Sequence, residues 1–155
     1  MALEIQIAES PADMAAIRGL FVEYAESLGF SLCFQGFDRE LADLPGCYAA
    51  PRGSLRLALI DGIPAGCVAV RPLDDDICEM KRLYVKPAQR RSGLGRRLVD
   101  VALQDARRIG YRVMRLDTLS TMTAAIALYH SVGFRTIPAY YENPIESAVY
   151  LECSL

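Results

Sequence analysis

The chain of 155 residues has a single histidine, and its five cysteines are scattered without a Cys-x-x-Cys pair. A structural zinc site needs several closely spaced nitrogen or sulfur ligands, so none is expected and no metal is called for. Cys33, Cys47, Cys67, Cys78 and Cys153 are odd in number and read instead as reduced, mostly buried small apolar residues of a cytoplasmic protein. No uninterrupted apolar run approaches the length of a bilayer span. The opening MALEIQIAES lacks the basic-then-apolar layout of an export leader. Repeats, low-complexity tracts and linkers are missing as well. A net charge of −2 gives no general affinity for nucleic acid. What these absences leave is one domain over residues 1–155, with 52% hydrophobic and 23% charged residues. That is enough chain for a real core.

The order of elements can be read from periodicity and punctuation. Leu3 to Ile7 alternates like a strand. Ser10-Pro11-Ala12-Asp13 supplies an N-cap, a proline in the first turn and an acid beside it, predicting a helix to about Leu28, with Gly29 as its stop. A short helix is expected from Phe37 to Leu44, closed by Pro45-Gly46. Leu55 to Ile60 and Ala65 to Val70 form a hairpin around Asp61-Gly62-Ile63-Pro64. Asp74-Asp75-Asp76 marks a solvated turn before a strand from Ile77 to Val85. A long helix from Leu94 to Ile109 ends at Gly110, a strand from Tyr111 to Leu116 follows, and a helix from Thr123 to Ser131 closes at Gly133. Phe134 to Ile137 and Ala148 to Leu151 are the last strand candidates. The expected fold is α/β (α+β): a mixed, mostly antiparallel sheet of about six to seven strands with helices on both faces.

The chemistry concentrates in LYVKPAQRRSGLG, from Leu83 to Gly95. A strand ends at Val85, Pro87 stops the ladder, and a Gly-Leu-Gly step opens the long helix. A helix N-terminus carries unsatisfied amides and partial positive charge, so it can hold an anion. Gly93 and Gly95 remove side chains that would keep a phosphate from those amides, and Arg90 and Arg91 add guanidinium groups suited to phosphate. A glycine pair after a strand also serves merely to turn the chain. A Walker loop requires Lys-Ser/Thr where Arg96-Arg97 stand, and a dinucleotide turn requires a small residue at Leu98. The basic residues Lys81, Arg82, Lys86, Arg90, Arg91, Arg96 and Arg97 crowd this stretch of a mildly acidic protein. Such a local site suits a small polyanion better than a nucleic acid.

LYVKPAQRRSGLG resembles the acetyl-coenzyme A signature of the GNAT family of N-acetyltransferases, Arg/Gln-x-x-Gly-x-Gly/Ala, with Arg90, Gly93 and Gly95 in those places. Downstream, AIALYHSVGF resembles the family's second motif, with Tyr129, Gly133 and Phe134 matching. The likeness in element order runs roughly from Leu3 to Leu155. The resemblance implies the GNAT fold, in which the strand before the phosphate turn splays from its neighbour and opens a slot for pantetheine. It implies acetyl-coenzyme A as acyl donor, with backbone groups of Leu83, Tyr84 and Val85 along pantetheine. Amides from Arg91 through Ser92, Gly93, Leu94, Gly95 and Arg96, together with Arg90, would hold the pyrophosphate. A free strand N–H near Leu83 would stabilise the oxyanion of acyl transfer.

By the same resemblance Tyr129 is the candidate general acid for the leaving thiolate, the other reading being a tyrosine packed beneath the last strands. Glu79, six residues before Val85, is the candidate general base. Lys81 shares its face if the strand alternates regularly, and would weaken it as a base unless a bulge separates the two. A structural ion pair is the competing reading. Where the family often carries asparagine, this chain has Met122, to which no role is assigned. Phe30, Phe34, Phe37, Tyr48, Tyr140, Tyr141 and Asn143 mark the segments expected to choose the acceptor, while Phe21 and Phe30 suit a core. His130 is expected at the surface. The expected activity is acetyl transfer to a primary amine of a small molecule or peptide by direct attack in a ternary complex. The competing functions are a catalytically silent acyl-CoA-binding sensor or partner protein, and nucleic-acid binding through the Lys81–Arg97 cluster. Pairing of two copies through an exposed sheet edge stays open.

Overall fold

A computed structural model describes residues 2–32 and 36–155, so the expectations for Cys33 and Phe34 lie outside the described residues. Strand β1 (Leu3–Ile7) leads into α1 (Pro11–Ser27) and α2 (Phe37–Asp43). A meander of β2 (Ser54–Ile60), β3 (Ile63–Pro72) and β4 (Ile77–Val85) follows, then α3 (Leu94–Ile109) and β5 (Val113–Leu119). The chain finishes with α4 (Thr123–Ser131), β6 (Arg135–Ile137) and β7 (Ala148–Ser154). The strands form one sheet in the order β1-β2-β3-β4-β5-β7-β6. Only β4 and β5 run parallel; every other neighbouring pair is antiparallel. This is the mixed, mostly antiparallel sheet that the sequence implies.

Local chemistry accounts for most boundaries. Ser10 Oγ accepts from the Asp13 amide at 3.0 Å while Asp13 accepts from the Ser10 amide at 3.2 Å, a reciprocal cap that starts α1. Asp61 (φ 51) and Gly62 (φ 80) turn the β2–β3 hairpin by themselves. The turn is therefore two residues and not four: Ile63 pairs with Ile60 and Pro64 with Leu59. Left-handed angles at both central positions match the twist of the flanking strands, which is why the tight turn wins. Tyr111, expected in a strand, lies just past α3, in the turn that caps it. Gly110 sits at φ 112 and the Tyr111 amide reaches back to the Ala106 carbonyl at 3.1 Å, so β5 begins only at Val113.

Alternation along β3 divides the core between the two faces. Val68 and Val70 pack with Leu98, Val99 and Leu103 of α3, and Tyr129 and Phe134 join that side. Cys67 and Ala69 pack with Ile17, Leu20 and Phe21 of α1, and with Phe37 of α2. Phe21 is fully buried and Phe30 packs at the margin of this second cluster.

The sheet is incomplete where it matters. β4 and β5 pair only at Ile77–Val113, Cys78–Met114 and Glu79–Arg115, although both strands continue well beyond. The β3–β4 register also shifts between Cys67 and Ala69, from Cys67–Tyr84 to Ala69–Lys81, so Leu83 has no register partner on β3 or β5. Arg82 adopts φ 60, a left-handed conformation that bulky residues avoid. Its guanidinium holds it there, donating to Glu40 of α2 through Nε (2.9 Å) and Nη2 (2.8 Å), with Arg82 only 4% exposed. The bulge lies after Lys81 and not between Glu79 and Lys81. Those two side chains share one face, 3.8 Å apart.

Removing the carboxylate from a buried guanidinium typically costs about 3–5 kcal/mol. Glu40→Ala is accordingly expected to lower the free energy of unfolding by about that amount. Urea denaturation measures it, and a loss below about 1 kcal/mol would show that the bulge is held by other contacts.

Candidate active site

Between Val85 and α3 the chain makes a short 3-10 turn at Pro87–Gln89, then passes through Arg91 (φ 65) and Gly93 (φ 84). Gly93 caps α3 with no side-chain hydrogen bond and no acid in the first turn, so the usual occupants of a helix start are missing. Arg97 is the first amide of the helix to find a carbonyl, that of Gly93 at 3.2 Å. Among the described residues no acceptor takes the amides of residues 91–96. Main-chain donors therefore converge at the positive end of a sixteen-residue helix, which is the physical requirement for binding a phosphate.

This turn opens into a cavity of about 750 Å³ lying in the parting of β4 and β5. Leu83, Tyr84, Val85, Arg90, Arg91 and Gly95 line it, as do Leu116, Asp117 and Tyr129. Ser92, Gly93, Leu94 and Arg96 are not among its walls; Leu94 is buried in the core and the Ser92 hydroxyl donates to the Gln89 carbonyl. What these four offer at the turn is main chain. Arg90 donates from Nε to the Val85 carbonyl at 3.0 Å, which folds its side chain over the end of β4. A Cβ added to Gly95 would stand 3.8 Å from Leu128 and 3.9 Å from Val85, so the protein itself leaves room there. A phosphorylated, thioester-bearing ligand fits these features. The amides and Arg91 would meet phosphate, and the open edge of β4 would meet an extended amide chain.

Tyr129 is 6% exposed, its ring tilted against Phe134 at 5.7 Å between centroids. The ring belongs to the core, and the residue also lines the cavity. No hydrogen bond to its hydroxyl is found among the described residues, and since no buried side-chain polar atom there is left unsatisfied, the group opens to the cavity. Burial raises the phenol above its ordinary range, so at neutral pH it holds its proton.

A polar cluster occupies the opposite, α1–α2 side of the parting. Glu79, fully buried, accepts from Arg71 Nε at 2.7 Å and from the Tyr140 hydroxyl at 2.5 Å. Lys81 Nζ lies 3.8 Å from Glu79 and 3.6 Å from Asp117, bridging the two strands where they separate. Burial pulls the Lys81 ammonium below the usual lysine range, with both carboxylates acting against that pull. Asp117 also accepts from the Tyr141 hydroxyl at 2.6 Å, and Asn143 donates to Tyr141 at 2.9 Å. Burial raises the Tyr140 and Tyr141 phenols, and the adjacent carboxylates raise them further. The loop before β7, expected to select the acceptor, is therefore pinned to the base of the opening.

Sequence reasoning singled out Glu79, Lys81, Tyr140, Tyr141 and Asn143, but missed Arg71 and Asp117. The one clue lay in alternation, which sets Asp117 opposite the buried Leu116 on a strand that should be covered on both sides. The basic stretch does not form a surface stripe. Lys81 and Arg82 turn inward to acids, and Lys86 pairs with Glu23 at 3.2 Å. Asp74 accepts from the amides of Asp76 and Ile77 at 2.8 Å, so that acidic run is a hydrogen-bonded turn. His130 is exposed and bonds the Phe134 carbonyl. Met122 lines the cavity and accepts a weak bond from Thr118.

A profile of the Acetyltransferase (GNAT) family matches residues 15–134. A Schizosaccharomyces pombe protein named as an uncharacterized N-acetyltransferase is 40% identical, over 99% of this chain and 95% of its own. Among solved structures, an acetyltransferase from Streptococcus agalactiae superposes with a TM-score of 0.81 at 22% identity, covering 99% of this chain and 98% of that one. An N-acetyltransferase from Thermoplasma acidophilum, solved in complex with coenzyme A, gives 0.75 at 18% identity over the whole of both chains. With the split sheet, the amide-lined turn and a match over most of its length, the chain belongs to the GNAT family of acetyltransferases.

Proposed function

We propose that this acetyltransferase moves the acetyl group of acetyl-coenzyme A directly to a primary amine, both substrates being bound together. The observation that carries this reading is the single cavity of about 750 Å³ joining the amide-lined turn, the open edge of β4 and Tyr129. Residues 91–96 and Arg90 hold the pyrophosphate, and the main chain of Leu83, Tyr84 and Val85 lies along the pantetheine arm. The unpartnered position of Leu83 suits an amide that steadies the carbonyl oxygen during attack. Tyr129 donates a proton to the departing sulfur. Glu79, which lines a second cavity on the α1–α2 side, takes the proton of the amine. No metal has a part in this scheme.

Among the described residues no helix is long and apolar enough to cross a membrane, and Cys47, Cys67, Cys78 and Cys153 are all free thiols. Free thiols support a cytoplasmic setting. Incubation with acetyl-coenzyme A and a broad set of primary amines, while following free thiol, is expected to show amine-dependent release with matching acetylated product. Tight coenzyme A binding by calorimetry with no transfer to any amine would instead support a cofactor-sensing protein.

A further inference from the structure

The second cavity, of about 330 Å³, is unevenly charged: Arg71, Lys81 and Arg82 line it against Glu40 and Glu79. Lys81 and Arg82 line the larger cavity too, so the two cavities meet at these residues. Arg82 is committed to Glu40, and Lys81 is enclosed between Glu79 and Asp117. Arg71 differs from both. Its side chain is 38% exposed, against 7% for Lys81 and 2% for Arg82. It sends Nε and Nη2 to one oxygen of Glu79, each at 2.7 Å, and a guanidinium carries further N–H donors beyond those. A planar fork of this kind is matched to a carboxylate.

We propose that the acceptor carries a carboxylate beside its amine, in the manner of a free α-amino acid, and that Arg71 receives that carboxylate. The inference rests on the acetyltransferase reading above and names its substrate class. A guanidinium and a carboxylate in contact are the electrostatic complement of an ammonium next to a carboxylate. Arg71 takes the acid group at the more open position, and the amine is left toward Glu79 at the closed end, beside Lys81, which lines both cavities. A simple amine would satisfy only half of this pair. A peptide N-terminus, whose first carboxyl is tied up as an amide, would do the same. The volume falls at the low end for small-molecule pockets, in keeping with an acceptor of amino-acid size. In the transfer itself the neutral amine forms the new N–C bond to the acetyl carbonyl carbon as the C–S bond breaks. One amine proton passes to Glu79 and the thiolate takes a proton from Tyr129, giving the N-acetyl amino acid and free coenzyme A.

The test compares kcat/KM for L-amino acids, the matching L-amino-acid amides and the matching decarboxylated amines, with acetyl-coenzyme A saturating and free thiol followed. Acids are expected to exceed amides and simple amines by roughly tenfold or more, because a donor site left unfilled penalises the analogue. Arg71→Ala should bring the acid-to-amide ratio close to one, mainly through KM, and Arg71→Lys should restore part of it. If Arg71 served only to hold Glu79, both classes would fall together and the ratio would survive, which overturns the proposal. Amides or simple amines matching the acids in the native protein would overturn it alone, and this comparison needs no variant to fold. Transfer to no amine of any class would remove the acetyltransferase reading and this inference with it.

Discussion

Tyr129→Phe is expected to lower kcat by about 10²-fold or more, the lower end of what a positioned general acid contributes. The substitution removes one oxygen from a ring otherwise packed on Phe134 at 5.7 Å, so the shape of the core is preserved. Because the hydroxyl has no partner among the described residues, its loss breaks no internal hydrogen bond, and stability should move by less than about 1 kcal/mol. The proton it holds is needed only as the sulfur departs. An interaction made in the transition state and not before it lowers kcat and kcat/KM together and leaves KM nearly unchanged. Steady-state kinetics by thiol release, with coenzyme A affinity from calorimetry, separates these quantities. Unchanged kcat would end the assignment of Tyr129 as acid.

Glu79→Gln is expected to reduce kcat/KM at neutral pH by about 10²-fold or more, for the complementary reason. The amide keeps the volume of the carboxylate and a carbonyl oxygen for Arg71, but cannot take up a proton. Only the neutral amine attacks a thioester, and the base serves to create it. As pH rises toward the amine's own pKa, solvent supplies that neutral form and the deficit should shrink. A deficit independent of pH would mark Glu79 as the structural partner of Arg71 and Lys81, the competing reading of this side chain. Tyr140, in the loop before β7, donates its hydroxyl to Glu79 and so offers a second route for that proton. A Tyr140→Phe background distinguishes the two, because a proton carried through the phenol would be lost there as well.

How far the sequence foretold this arrangement depends on whether main chain or side chains do the work. Ser10-Pro11-Ala12-Asp13, Asp61-Gly62 and Gly110 each act within a few residues, so the elements they bound were readable from local chemistry alone. The proposed donor half rests on features that are just as local. Its amides lie on one stretch from Arg91 to Arg96, marked by two glycines and flanking arginines. The acceptor half is assembled from distant positions. Arg71 meets Glu79 through the β3–β4 register, and Asp117 meets Lys81 only because β5 returns parallel to β4 after the α3 crossover. Single charges in otherwise apolar strands carry no local sign of such meetings. The bulge was likewise illegible in position, since nothing near Arg82 favours a left-handed backbone. Glu40, far away on α2, supplies the restraint that holds it against a cost of about 1–3 kcal/mol.

The grip proposed at the start of α3 uses nitrogen atoms that every amino acid except proline provides. On that scheme drift at Ser92 or Arg96 would proceed with little loss of donor affinity, provided Gly93 keeps its turn. Arg71, in the acceptor site proposed above, would have no such freedom, for it would contribute by the identity of its side chain. One half of the proposed site would thus be tolerant and the other exacting, and a lineage built on this plan could exchange its amine customers while leaving the acyl supply untouched.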